Sequence, residues 1–198
     1  MLPLDRCAGR VLAADIISSD LPLFDNSSVD GFAVLASDIA AGSPSAPRTL
    51  RVVADIPAGS SPTIRLEAGQ AARIMTGAPL PEGADAVIMV EDTDFASRSP
   101  GTAAPPEVRA FRAVRAGENV RTRGMDMQQG HTVLSPGHRL RPQDLGLLAM
   151  LGVAQVTVHR KPRAALLSSG DELAPVERPL EPGKIRDTNT YTLRALIA

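Results

Sequence analysis

The chain has 198 residues, 43% of them hydrophobic, enough to build one large domain or two or three small ones around real cores. With 21 Lys and Arg against 22 Asp and Glu its formal net charge is −1, so no global basic field serves a nucleic-acid backbone or an anionic membrane, and any anion site is local. Cys7 is the only cysteine, which excludes an internal disulfide and a Cys-based metal cluster, and His131, His138 and His159 lack the paired spacing of a zinc site.

The opening Met-Leu-Pro-Leu-Asp-Arg has neither the basic n-region nor the apolar h-region of a signal peptide. The longest apolar stretches, Ala86 to Val90 and Leu145 to Ala154, fall far short of the roughly 20 residues of a membrane span, so a cytoplasmic protein is expected. Seventeen prolines, 16 glycines and 3% aromatics predict short strands joined by defined turns. The strands expected in the middle are Gly31 to Leu35, Leu50 to Ala54, Ala71 to Thr76, Ala86 to Glu91 and Val108 to Val114, each bounded by Gly, Pro, Ser or Asp. Between Phe95 and Pro106 a biased run without periodicity reads as a mobile hairpin tip of no assigned function. A helix is predicted from Pro142 to Leu151, with Pro142 in its first turn and Gly152 just past its end, and a strand from Val153 to Val158. Arg160-Lys161-Pro162-Arg163 has the character of a domain joint. Beyond it, a short apolar strand from Ala164 to Ser168, a turn at Ser169-Gly170-Asp171-Glu172 and a helix from Asn189 to Ala198 read as the opening of an α/β domain. That strand has no partner in the remaining residues and the helix no cap, so the chain reads as truncated.

Four stretches carry candidate chemistry. Phe24 to Val34 is a polar turn feeding a strand; local physics favours a well-built turn, with Asp25 and Asp30 as candidate acids. In Arg73-Ile74-Met75-Thr76-Gly77-Ala78-Pro79, the Thr76 hydroxyl beside unobstructed Gly77 is placed either to bond a ligand or to satisfy a loop amide. In Gly117 to Asp126, an extended segment puts Arg121 and Arg123 on one face, able to grip phosphate or carboxylate, or to form a salt-bridged surface with Glu118 and Asp126. The fourth stretch, Leu166 to Leu173 followed by Gly183 to Asn189, matches a Ser-x-x-Glu capping box at Ser169 and Glu172, but Pro175, Pro179 and Pro182 leave little helix to cap. Ser168, Ser169, Gly170, Asp171, Glu172 and Asp187 are therefore expected to converge on one site for a phosphate with its magnesium. No nucleophile elbow, phosphate loop or dinucleotide fingerprint is present, and Ser168 has no histidine in its predicted site.

Taken in order, Asp25 to Val34, Arg73 to Pro79, Gly117 to Asp126, and Ser169 to Leu173 with Asp187-Thr188-Asn189 resemble the molybdopterin molybdenumtransferase family, which includes the E domain of gephyrin. Small departures are Ser28-Val29, Phe32 and Ser169; Ser169 keeps its hydroxyl. The resemblance implies a multi-domain fold of α+β and α/β parts: a small mixed first domain from residues 1–24 and 115–161, a β-rich second domain inserted at 25–114, and at 162–198 the truncated start of an α/β molybdopterin-binding domain. It implies a reaction in which molybdate metal is placed on adenylylated molybdopterin with magnesium assistance and AMP is released. Carried over by resemblance, Asp30, Thr76, Asp126 and Glu172 have catalytic roles. Arg121, Arg123, Ser168, Ser169, Gly170, Asp171, Asp187 and Asn189 bind the cofactor. The resemblance further implies a homodimer of the full-length protein with molybdopterin adenylyltransferase acting upstream, and no nucleic-acid or membrane partner; the other reading is a non-catalytic scaffold of gephyrin type.

Overall fold

A computed structural model describes residues 1–97 and 101–197. Residues 98–100, in the expected hairpin tip, and Ala198, the last of the expected final helix, lie outside the described residues.

The largest sheet is built from β1 (Gly31–Val34), β2 (Arg48–Ile56), β3 (Gln70–Ile74), β4 (Ala86–Met89) and β5 (Glu107–Ala110). These are the five strands expected in the middle of the chain, with shifted ends. Their order is β4-β1-β3-β2-β5; β2 and β3 run parallel and the other neighbours antiparallel. Both faces are buried. Phe32, Val34, Ala71, Ile88 and Val108 fill one core, and Ala33, Ala72, Ile74 and Val87 fill the other. Strands covered on both sides read as continuous apolar runs, which is why Ala86-Val87-Ile88 shows no polar alternation. In β2 the register slips between Val52 and Ala54. The extra residue turns the strand over, so Leu50 and Val52 face the first core while Ala54 and Ile56 face the second. The strand expected to run to Glu91 stops at Met89 because Val90–Asp92 winds into a 3-10 turn; the one expected to reach Val114 stops at Ala110, where the Phe111 amide bonds that turn at Asp92 O.

A third core gathers Cys7, Leu12, Ile16, Leu140, Leu148 and Val156 from two distant stretches of chain. Leu2–Pro3 pairs with Gln155–Val156, and Ile16–Ile17 with Thr132–Leu134, all antiparallel. Beside them lies α1 (Pro142–Met150), with Pro142 in its first turn, the Asp144 carboxylate accepting the Arg141 backbone amide at 2.8 Å, and Gly152 at φ 74° ending it. Leu148 is its fully buried residue, worth about 1.5–3 kcal/mol of burial. The expected strand from Val153 to Val158 is reduced to Gln155–Val156 and one bridge, Val158 to Leu12.

The expected strand Ala164 to Ser168 does not form. A strand needs a neighbour to satisfy its backbone, and Leu167 stands 94% exposed. Pairing occurs later instead, between Leu173–Ala174 and Ile185–Arg186, in parallel. The final helix, α2 (Thr188–Ile197), buries none of its residues. The architecture is mixed α and β, with few helices.

Candidate functional site

β1 starts, and β2, β3 and β4 finish, at one end of the large sheet, where Gly31 pairs with both Ile74 and Met89. Asp30 precedes β1 and Thr76 follows β3, so antiparallel pairing brings two residues 46 apart in sequence to the same edge. Asp30 Oδ1 accepts the Thr76 backbone amide at 2.9 Å and the Thr76 hydroxyl at 2.8 Å. Asp30 is half-buried and Thr76 exposed. Gly77, at φ 80°, turns the chain, and a Cβ there would meet nothing within 4 Å, which leaves the approach to Thr76 open.

The turn before β1 is stitched to the other two stretches by backbone. Asn26–Ser27 pairs with Val120–Arg121, and Ser27 exchanges hydrogen bonds with the loop through Gly77 N and Ala78 O. Ser27 Oγ closes its own turn on Val29. Three of the four stretches singled out in the sequence thus meet at one place.

The two arginines do not act as a matched pair. Arg121 is ion-paired with Asp126. The Arg123 guanidinium donates to Asp20 Oδ2 at 2.7 Å, and its backbone amide to Asp25 Oδ1 at 2.7 Å. The chain turns immediately after Arg121, so the extended alternation that would align both forks is lost. The Gln129 amide and then the Arg123 side chain hold Asp20 below the usual carboxylate range. Sequence reasoning missed Asp20, whose partners lie 103 and 109 residues away. It also passed over Asn119, whose φ of 58° is a conformation Asn tolerates and whose side-chain amide donates to Val87 O at 2.9 Å.

The fourth stretch forms a separate local group. Asp187 accepts the amide and the hydroxyl of Thr190 at the start of α2, and these two bonds hold it below the usual carboxylate range, with Ser168 adding a weaker one. Asp187 is therefore a helix cap. The Glu172 carboxylate folds back over Gly170, where a Cβ would sit 2.5 Å from Oε2, and the Asp171 carbonyl accepts Lys184 Nζ. Ser169, Asp171, Glu172 and Asn189 are exposed. The expected convergence of three carboxylates does not occur: among the described residues no group of three or more His, Cys, Asp or Glu could hold a metal ion. Asp187 is committed to its helix, so these residues do not fit a magnesium cage of their own. Among the described residues no helix is long and apolar enough to cross a membrane.

A family model described as the MoeA N-terminal region (domain I and II) matches residues 1–152. Molybdopterin molybdenumtransferase 2 of Mycobacterium tuberculosis is 40% identical over 197 residues, covering 99% of this chain and 47% of that protein. The molybdopterin molybdenumtransferase of Bacillus subtilis is 44% identical over 193 residues, covering 97% and 44%. The crystal structure of the molybdopterin biosynthesis MoeA protein from Pyrococcus horikoshii OT3 matches with a TM-score of 0.85 at 36% identity, over 99% of this chain and 50% of that one. The chain thus spans about half the length of the curated relatives it matches. Motif order, the family match and the shared fold agree, and the chain belongs to the MoeA family, matching it in the N-terminal region.

Proposed function

We propose that the protein inserts molybdenum into adenylylated molybdopterin, and that this chain contributes the Asp30–Thr76 pair to the reaction. The observation that carries the reading is the double hydrogen bond from Thr76 to one oxygen of Asp30. It fixes a carboxylate at an open sheet end, a geometry suited to handling protons. Replacing one oxide of molybdate by the two thiol sulfurs of the pterin moves two protons onto that oxide, which leaves as water. Asp30 takes a proton from sulfur and returns it to the departing oxide. The Thr76 hydroxyl has its proton on Asp30 and turns lone pairs outward, so it accepts from water rather than gripping an oxyanion. Arg121 provides the positive charge for the oxyanion, tempered by Asp126.

Glu172, Ser168, Ser169, Gly170, Asp171 and Asn189 belong to the pterin side of the same reading, with Asp187 ordering that segment and Arg123 ordering the turn that carries Asp126. The described residues build no magnesium site of their own, and magnesium assistance to the release of AMP stays part of the same reading. The division into a first domain of 1–24 with 115–161, an inserted 25–114 and a third unit from 162 is part of the proposal, supported by the core that both ends of the first domain share. So are a homodimeric full-length protein and molybdopterin adenylyltransferase upstream of it.

The test is single-turnover molybdenum insertion by the full-length protein given adenylylated molybdopterin and molybdate. Asp30→Asn and Thr76→Val are expected to slow the step by about 10²- to 10⁴-fold, and Thr76→Ser by less than about fivefold. Wild-type turnover by Asp30→Asn would sink the role given to Asp30, whereas no turnover by the unaltered full-length protein would leave a gephyrin-type scaffold as the surviving reading.

A further inference from the structure

Arg112 lies outside the four stretches that carry candidate chemistry, yet its guanidinium bridges two carboxylates. Nε donates to Asp92 Oδ2 at 2.6 Å and Nη2 to Glu118 Oε1 at 2.6 Å, while Nη1 caps the Ala113 carbonyl at 3.0 Å. The two carboxylates belong to different segments, one bonded to Asp30 itself and the other to the Asn26–Ser28 turn that leads into it. Asp92 closes the 3-10 turn whose first amide, Val90 N, donates to the Asp30 carbonyl at 3.0 Å. Glu118 opens the segment that runs along the outer edge of β4: its carbonyl accepts Val87 N at 3.0 Å, and the next carbonyl, of Asn119, accepts Ser28 N at 3.0 Å. Val120–Arg121 then pairs with Asn26–Ser27. The second oxygen of Glu118 is also occupied, by the Arg115 amide at 3.0 Å.

We infer that Arg112, gripping Asp92 and Glu118 at once, is a positioning residue that fixes Asp30 and Arg121 relative to each other for the reaction. The inference rests on the proposed role of Asp30. A fork is needed because the two carboxylates lie on separate segments and are met by different nitrogens of one rigid plane. A lysine has one nitrogen and cannot reproduce both contacts in that geometry. The partial exposure of all three side chains, 41% for Arg112, 31% for Asp92 and 29% for Glu118, makes the cluster a weak source of stability. Positioning is the role it is built for. The Arg115 amide and then Arg112 hold Glu118 below the usual carboxylate range, as both of its oxygens are occupied.

The experiment uses the full-length protein with Arg112→Lys, Glu118→Gln and Asp30→Asn, alone and combined. Three readouts are taken: kcat and KM for molybdenum insertion, the thermal midpoint, and amide hydrogen exchange. Arg112→Lys is expected to lower kcat about tenfold to a hundredfold with KM within about twofold, as for a reacting group slightly misplaced. Exchange should accelerate at least about tenfold at Thr76 and Val87, whose amides report the Asp30 and Glu118 contacts, and stay unchanged at Ala33 and Ala72 in the sheet centre. In the Asp30→Asn background Arg112→Lys should cost less than about twofold more, because both act through one group. Equal losses of kcat in both backgrounds, unchanged exchange at Thr76, or faster exchange at Ala33 and Ala72 as well would overturn the inference. If Asp30→Asn alone leaves turnover intact, the proposed function fails instead, and the Thr76 exchange result still decides whether Arg112 positions Asp30.

Discussion

Substituting Gly31 by alanine separates packing constraint from backbone constraint. Gly31 is buried between Ile74 on β3 and Met89 on β4, and a Cβ built there lies 2.0 Å from Ile88 O, 3.0 Å from Ile88 C and 3.1 Å from Val87 Cγ1. Ordinary contact starts near 3.4 Å, so the backbones of β1 and β4 must part by 3.4 minus 2.0, or 1.4 Å, at that point. Overpacking of this kind costs about 1–3 kcal/mol, and losing a ladder hydrogen bond about 1 kcal/mol more, giving roughly 3 kcal/mol for Gly31→Ala. Gly59→Ala is the control: its φ of +83° strains an L-residue, yet nothing lies within 4 Å of the added Cβ. It should cost only about 1–2 kcal/mol. Because the chain has no tryptophan, unfolding is best followed in urea by far-ultraviolet circular dichroism. A Gly31→Ala protein no less stable than Gly59→Ala would show that the sheet end yields, and the claim that it holds Asp30 rigidly would fall with it.

Acid unfolding tests the cap of α1. The Arg141 side chain, and after it His138, holds Asp144 far below the usual carboxylate range. A depressed folded pKa means the stabilisation is complete above the unfolded value of about 4 and drains away as pH falls below it. Asp144→Asn should therefore flatten the stability profile between about pH 5 and 2, and an unaltered slope would refute the assignment. At Asn119, Asn119→Gly keeps the positive φ but loses the bond to Val87 O, while Asn119→Ala loses both. The losses in urea titration should be about 1 kcal/mol for glycine and about 2 kcal/mol for alanine; equal values would show that the φ carries no strain.

The five sheet strands were legible because short apolar runs bounded by Gly, Pro and Asp leave few other choices. Their ends were less so. Whether Ala86 to Glu91 continues or winds into a turn at Val90 depends on what lies across the sheet, which no local pattern encodes. The run Ala164 to Ser168 has strand composition but no neighbour, and composition alone does not supply one. At the site, the motifs named Asp30 and Thr76 but spacing left open what Thr76 does, since its partner lies 46 residues away. The Arg121–Asp126 ion pair was among the readings weighed for Arg-x-Arg; the diversion of Arg123 to Asp20 was not. The expected magnesium cluster failed because Asp187, read as a free carboxylate, starts a helix. Arg112, Asp92 and Glu118 come together only once three loops are in place, so no short motif marks them.

Leu2 pairs with Val156, and the sheet of residues 31–110 is threaded between them. On a ribosome adding about 5–20 residues per second, Leu2 emerges roughly eight to thirty seconds before its partner. Once Val114 has emerged, the large sheet has all five of its strands, whereas Cys7, Leu12 and Ile16 still await Leu140, Leu148 and Val156. Of the two, the sheet of residues 31–110 is therefore complete before the core that Cys7, Leu12 and Ile16 join. The stretch left waiting, and most in need of a chaperone during translation, is the N-terminal one.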